Sequence, residues 1–180
     1  RDGVIMVDAT FPDNLVETGY YDTSPFPSGP GFEGCWGVYP YFSNGLIVAS
    51  DREQGLFVLQ PKLKRGAYLE GNIEDAGTGS PVINAKVEVI GTPVQEFTDL
   101  FGNYKTGVAD SGSYDVRVSA PNCTPQIISG VMLDNGVVST LNVSLSCPFT
   151  GVAEEAAGNH LEIVYGGTSP VIRYNFPMIT

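Results

Sequence analysis

The sequence predicts an all-β protein: an antiparallel, immunoglobulin-like β-sandwich preceded by a β-meander. Three observations carry this. Charged residues make up only 16% of the 180, while 22 Gly, 13 Pro, nine Tyr and nine Phe supply turn and sheet formers. Apolar and polar residues alternate with period two, most clearly at Ala85-Lys86-Val87-Glu88-Val89 and Tyr114-Asp115-Val116-Arg117-Val118. Gly, Asn-Gly and Thr-Gly turns interrupt these runs at the spacing of a small sandwich.

Residues 1–60 read as a β-rich first segment. Strands are expected at 4–8 and 16–21, then a Pro/Gly/Ser loop over 24–34. Residues 37–42, 46–50 and 56–59 follow as a meander, in which Asn44-Gly45 between apolar runs is the hairpin signal. Sheets this small leave edges open and need neighbours. Pro61-Lys62-Leu63-Lys64-Arg65-Gly66 gathers three of the nine cations between two β-rich blocks, marking 61–66 as a linker.

From 67 to 147 the alternation places Ala67, Leu69, Gly71 and Ile73 on one face, with Ala85, Val87, Val89 and Tyr114, Val116, Val118, Ala120 doing the same later. Turns at 75–80, 99–102 and 110–112 divide the block into about seven strands. Two sheets packed face to face bury such stripes most economically. The last hairpin is expected to turn on Asp134-Asn135-Gly136, with Gly136 left-handed and Leu133 facing Val137. A two-residue Asn-Gly turn would oppose inward to outward side chains, so the three-residue loop is preferred. In that register Cys123 lies opposite Cys147, at disulfide distance; the alternative is a pair of buried free thiols.

Residues 148–159 are small and polar and read as a tether. Two further strand-like runs, 161–165 and 171–177, occupy the closing segment 160–180. Arg1-Asp2-Gly3 leads straight into a strand, as in a chain cut from a longer one.

The formal net charge of −11 disfavours nucleic acid and anionic membrane surfaces as partners. With no run of eighteen apolar residues, nothing is expected to span a membrane. A single His, His160, and three scattered Cys make no Cys-x-x-Cys or His-x-x-x-His pattern, so no catalytic, metal-ligating or cofactor-binding residues are expected. Asp75, Asp99, Asp110 and Asp134 fall in turns, where Asp caps its own backbone. Calcium is the one cation such loops could hold, although EF-hand spacing is absent. Cys35 reads as a buried thiol or half of a bridge to a missing part. Asn122-Cys123-Thr124 and Asn142-Val143-Ser144 match the N-glycosylation pattern.

Three resemblances add to this. Asp2-Gly3-Val4-Ile5-Met6-Val7-Asp8-Ala9-Thr10, Gly19-Tyr20-Tyr21-Asp22-Thr23, Gly34-Cys35-Trp36-Gly37-Val38-Tyr39-Pro40 and Gly55-Leu56-Phe57-Val58-Leu59 resemble LVIVD-repeat propellers and the last blade of the choice-of-anchor B family. That likeness implies further blades upstream. Gly71, Ile73, Asp75, Thr78-Gly79, Pro81-Val82, Ala85, Val87, Val89, Gly91-Thr92, Asp99, Gly102, Tyr104, Gly112, Tyr114, Val116, Val118 and Ala120-Pro121 resemble the carboxypeptidase regulatory-like domain, a transthyretin-like sandwich. The departure is Asn122-Cys123, where that family commonly has Gly and an aromatic. Leu161-Glu162-Ile163-Val164-Tyr165 and Val171-Ile172-Arg173-Tyr174-Asn175 resemble the start of a type IX secretion sorting domain, with Gly166-Gly167 replacing its usual Pro-Asn-Pro.

The expectation is therefore a non-enzymatic structural, adhesive or spacer module of an exported or surface-attached protein from a Bacteroidetes-type bacterium. Its partners would be neighbouring domains or copies of its parent and the type IX machinery, with self-association through open edges. The alternatives are a carbohydrate- or calcium-binding module, or an accessory fragment of a hydrolase whose catalytic domain lies elsewhere.

Overall fold

The computed structural model describes residues 3–24, 34–148, 160–165 and 170–175. Every regular element among them is a strand, as the period-two patterns require. The expected loop over 24–34 falls mostly outside the described residues, as does most of the 148–159 tether.

The first segment contains a hairpin of β1 (Gly3–Asp8) and β2 (Val16–Asp22), and a meander of β3 (Cys35–Tyr39), β4 (Ile47–Asp51) and β5 (Gly55–Leu59). Gly45 takes φ +75 in the turn before β4, the left-handed conformation that Asn-Gly signals. A propeller blade is a four-stranded sheet; here the five strands divide into a two-stranded and a three-stranded sheet.

The sandwich follows. Its strands are β6 (Ala67–Asp75), β7 (Lys86–Val89), β8 (Gln95–Phe97), β9 (Asn103–Val108), β10 (Gly112–Ser119), β11 (Gln126–Leu133), β12 (Val138–Thr140) and β13 (Val143–Leu145). One sheet has the order β11-β10-β7-β8; in the other, β6 is flanked by β9 and by β12 and β13. Between the sheets lie Leu69, Ile73, Val87, Val89, Val116, Val118, Leu133 and Leu145, all fully buried. Each of these side chains contributes about 1.5–3 kcal/mol by leaving water.

Two expectations need correction. The sandwich is not purely antiparallel, because β12 and β13 both run parallel to β6. For the same reason the last hairpin is not a two-stranded ladder: β11 pairs with β10, while the chain after Gly136 crosses to the opposite sheet and pairs with β6. Remaining beside β11 would have left the second edge of β6 without backbone partners, which a buried strand tolerates poorly. Gly136 is left-handed as expected, at φ +80, but the Val137 N–H donates to the Asp134 carbonyl at 3.1 Å, which closes the turn on Asn135-Gly136 and not as the three-residue loop.

The outer face of β6 also departs from simple alternation. Tyr68, out of phase with Ala67 and Leu69, is nevertheless fully buried. The cover comes from the first segment: the Phe11 ring meets Tyr68 edge-on at 4.8 Å, and Asn14 donates to the Glu70 carboxylate at 3.0 Å and the Thr106 carbonyl at 3.1 Å. Lys105 of β9 pairs with Asp13. At Gly107 an added Cβ would lie 2.6 Å from a Val16 methyl, so the close approach requires glycine. Residues 61–66 form no strand yet are fastened: Lys64 pairs with Asp110 at 2.5 Å, Arg65 donates to the Thr10 hydroxyl at 2.7 Å, and the Gly66 N–H donates to the Asp8 carboxylate at 2.8 Å.

Residues 149–180 form a second unit, in which β14 (His160–Tyr165) and β15 (Pro170–Asn175) pair antiparallel, with His160 opposite Asn175.

Candidate functional site

The most constructed feature is the seam between the first and last strands of the sandwich. From Gly66 to Ala76 the chain is bonded side by side to residues 136–145, at a pairing offset of 70 throughout both ladders. Gly136 N–H donates to the Gly66 carbonyl at 2.7 Å, Tyr68 N–H to Val137 at 3.1 Å, Leu141 N–H to Glu70 at 2.8 Å, and Ala76 N–H to Leu145 at 2.8 Å. Where the seam breaks between β12 and β13, the Asn142 side chain supplies the missing acceptor for the Asn72 N–H at 2.9 Å. The break presses inward, and a Cβ at Gly71 would fall 1.9 Å from the Leu141 carbonyl oxygen. That oxygen also accepts from the buried Tyr104 hydroxyl at 2.8 Å, and burial raises the Tyr104 phenol above its ordinary value of 10.0.

A disulfide closes one end of the seam. Cys123 and Cys147 are bonded at 2.06 Å with Cα atoms 3.9 Å apart, and both pack against the core. The bond ties the chain before β11 to the chain after β13, and so one sheet to the other. Beside it Thr124 N–H donates to the Ser146 carbonyl at 2.7 Å, and Asn122 holds φ +61. Asn is among the few non-glycine residues that enter this region readily, so it can stand where the resembling family has Gly.

The four turn carboxylates do not converge. Asp75 accepts from the Thr78 hydroxyl at 2.8 Å and the Gly77 N–H at 3.2 Å, and the Thr78 bond is the main reason its carboxyl sits below the usual value. Asp99 is lowered chiefly by the Asn103 N–H, with help from Phe101. Asp110 faces Lys64, and Asp134 is exposed in its turn. Among the described residues no group of three or more His, Cys, Asp or Glu could hold a metal ion. Cys35 is a half-buried free thiol donating to the Gly37 carbonyl at 3.6 Å. Asn142 serves the seam, and Asn122 the bend before Cys123.

Sequence reasoning missed two groups. Asp51 is nearly buried and bonds the Thr23 hydroxyl at 2.7 Å and its own turn's Glu53 and Gln54 N–H groups; the Thr23 bond chiefly lowers its carboxyl. Asp8 is held well below the usual range, first by the Thr10 hydroxyl. The Tyr68 hydroxyl beside it has no hydrogen-bond partner of acceptable geometry, and its phenol is raised first by burial and then by the Asp8 carboxylate. Only the Asp8–Thr10 spacing was visible locally. A cleft of about 470 Å³ between β2 and the sandwich is lined by Glu17, Tyr20, Thr92, Val94, Asp110 and Tyr114.

Residues 68–146 match the family model of the carboxypeptidase regulatory-like domain. No curated protein matches the chain. Among solved structures, it is similar to the type II cohesin–X-dockerin complex of Acetivibrio cellulolyticus, at 23% identity over 43% of this chain and 52% of that one, with a TM-score of 0.38. A candidate carbohydrate binding protein of Bacteroides uniformis aligns at 23% identity over 45% of this chain and 41% of that one, TM-score 0.37. The minor pilin of Streptococcus agalactiae aligns at 10% identity over 63% and 64%, TM-score 0.36. The chain thus spans about half the length of the first of these. Likenesses this slight carry no function across.

Proposed function

We propose, with the regulatory-like match of residues 68–146 as premise, that this chain is a non-enzymatic spacer module of a secreted or cell-surface bacterial protein. One observation carries the reading. The chain enters the sandwich at the start of β6 and leaves at the end of β13, and because these strands are parallel the two points lie at opposite ends of the body. A body of this kind takes up a pull at one end and passes it on at the other. The Cys123–Cys147 bond supports an oxidising, extracytoplasmic setting. The likeness of residues 160–180 to the start of a type IX sorting domain is what suggests export by that route, with the secretion machinery and other parts or copies of the parent as partners.

A carbohydrate-binding role is the second reading, favoured by Tyr20 and Tyr114 lining one cleft with Glu17 and Asp110. Titration calorimetry with soluble glycans and with Ca²⁺ separates the two. The spacer reading expects no heat from either. Saturable heat that disappears in Tyr20→Ala would replace it with the binding reading.

A further inference from the structure

The geometry points to a mechanical role: we propose that the β6 to β13 seam is a shear clamp, and that the Cys123–Cys147 bond limits how far the module can extend when pulled from its two ends. This rests on the reading of the sandwich as a spacer loaded through its flanks. Pulling on the chain before Ala67 draws β6 toward its own beginning, and pulling beyond Cys147 draws β13 toward its own end. In parallel, directly bonded strands these motions slide one past the other. Every rung from Gly66 to Ala76 is then loaded together, whereas strands parted from one end lose their rungs singly.

Three details fit such a clamp. The seam has no unbonded gap at its break, because the Asn142 side chain stands in for the backbone there. Leu141 is held on two sides, its N–H by Glu70 and its carbonyl by the Tyr104 hydroxyl. The disulfide meets the load where it enters from the C-terminal side, and shunts part of it to Cys123 and the opposite sheet. Even after the strands part, the stretch between the two cysteines stays looped out of the covalent path.

The test is single-molecule force spectroscopy on the full chain held at Arg1 and Thr180. The sandwich is expected to open in the event of highest force, above those of the two- and three-stranded sheets. Reduction should lengthen the released chain by about 75 Å, from the sequence separation of 24 at about 3.4 Å per residue less the span of the bridge. In a Cys35→Ala, Gly77→Cys variant the handle moves to the far end of β6, where an added Cβ meets nothing nearer than the Asp75 carboxylate at 3.8 Å. Held there and at Thr180, the seam peels, and the opening force should fall several-fold. Equal forces in the two geometries, or a sandwich that opens no higher than the small sheets, overturn the clamp. No gain in length on reduction, measured on the unmodified chain, overturns the limit on extension. Neither result bears on ligand heat, so the clamp and the spacer reading fail separately.

Discussion

Reducing the Cys123–Cys147 bond is the perturbation whose cost can be worked most directly. The two residues are 24 apart in sequence. In the chain-entropy treatment, releasing a loop of that length gives the unfolded chain about 11.6 cal/mol/K, or about 3.5 kcal/mol at 25 °C. Native stabilities run to about 5–15 kcal/mol, so this is a large share of the total. With a urea slope of about 1–3 kcal/mol/M, the midpoint should drop by about 2 M. Both sulfurs pack against the core, so substitution alone would confound the link with lost packing. The clean comparison is wild type oxidised against wild type reduced, with Cys123→Ala/Cys147→Ala as a third curve. Reduced protein should lose about 3.5 kcal/mol and the double variant somewhat more. If reduction costs under about 1 kcal/mol while the double variant loses several, the sulfurs act by filling space and the entropic reasoning is wrong.

Asn122→Gly should leave the denaturation midpoint unchanged or slightly raised, while Asn122→Val should cost about 1–3 kcal/mol because a β-branched residue is forced to φ +61. Phe11→Ala should destabilise in urea melts by uncovering the buried Tyr68 ring. Asp8, Asp13, Asp51, Asp75 and Asp99 all sit below their ordinary 3.8 in the folded protein. Their contribution is complete above that value and is lost as pH falls through the folded values; melts taken downward from pH 5 should show falling stability, and a flat profile would refute this. Tyr104, raised by burial, predicts the opposite slope in alkali: stability present below pH 10.0 and lost above it, an effect absent in Tyr104→Phe.

The core was legible because burial and alternation are local properties. Ala85, Val87, Val89, Val116 and Val118 were marked by their spacing, and all are buried. Strand partners were not legible, because a stripe looks the same whichever neighbour it faces. The antiparallel register proposed for the last hairpin placed Cys123 beside Cys147, and the contacts Thr124 to Ser146 and Gln126 to Ser144 keep that register. The backbone ladder nevertheless went to β6, some 70 residues away, which no local pattern could disclose. The burial of Tyr68 was not legible for a related reason: its cover comes from Phe11, in a segment read as separate. Of the carboxylates in turns, Asp75 and Asp99 bond within their own loops as their chemistry suggested, whereas Asp110 pairs with Lys64 from the 61–66 stretch.

The 70-residue offset has a kinetic side. The first strand of the sandwich cannot gain its second flank until the final ten or so positions of that body have been synthesised or threaded, so closure waits on the slowest loop to form. Until then β6 presents an unsatisfied border, and collapse onto a premature partner is the hazard. A chain emerging from its N-terminus would therefore leave this body pliable until its last strand is out, and harden it only when Cys147 arrives and is oxidised.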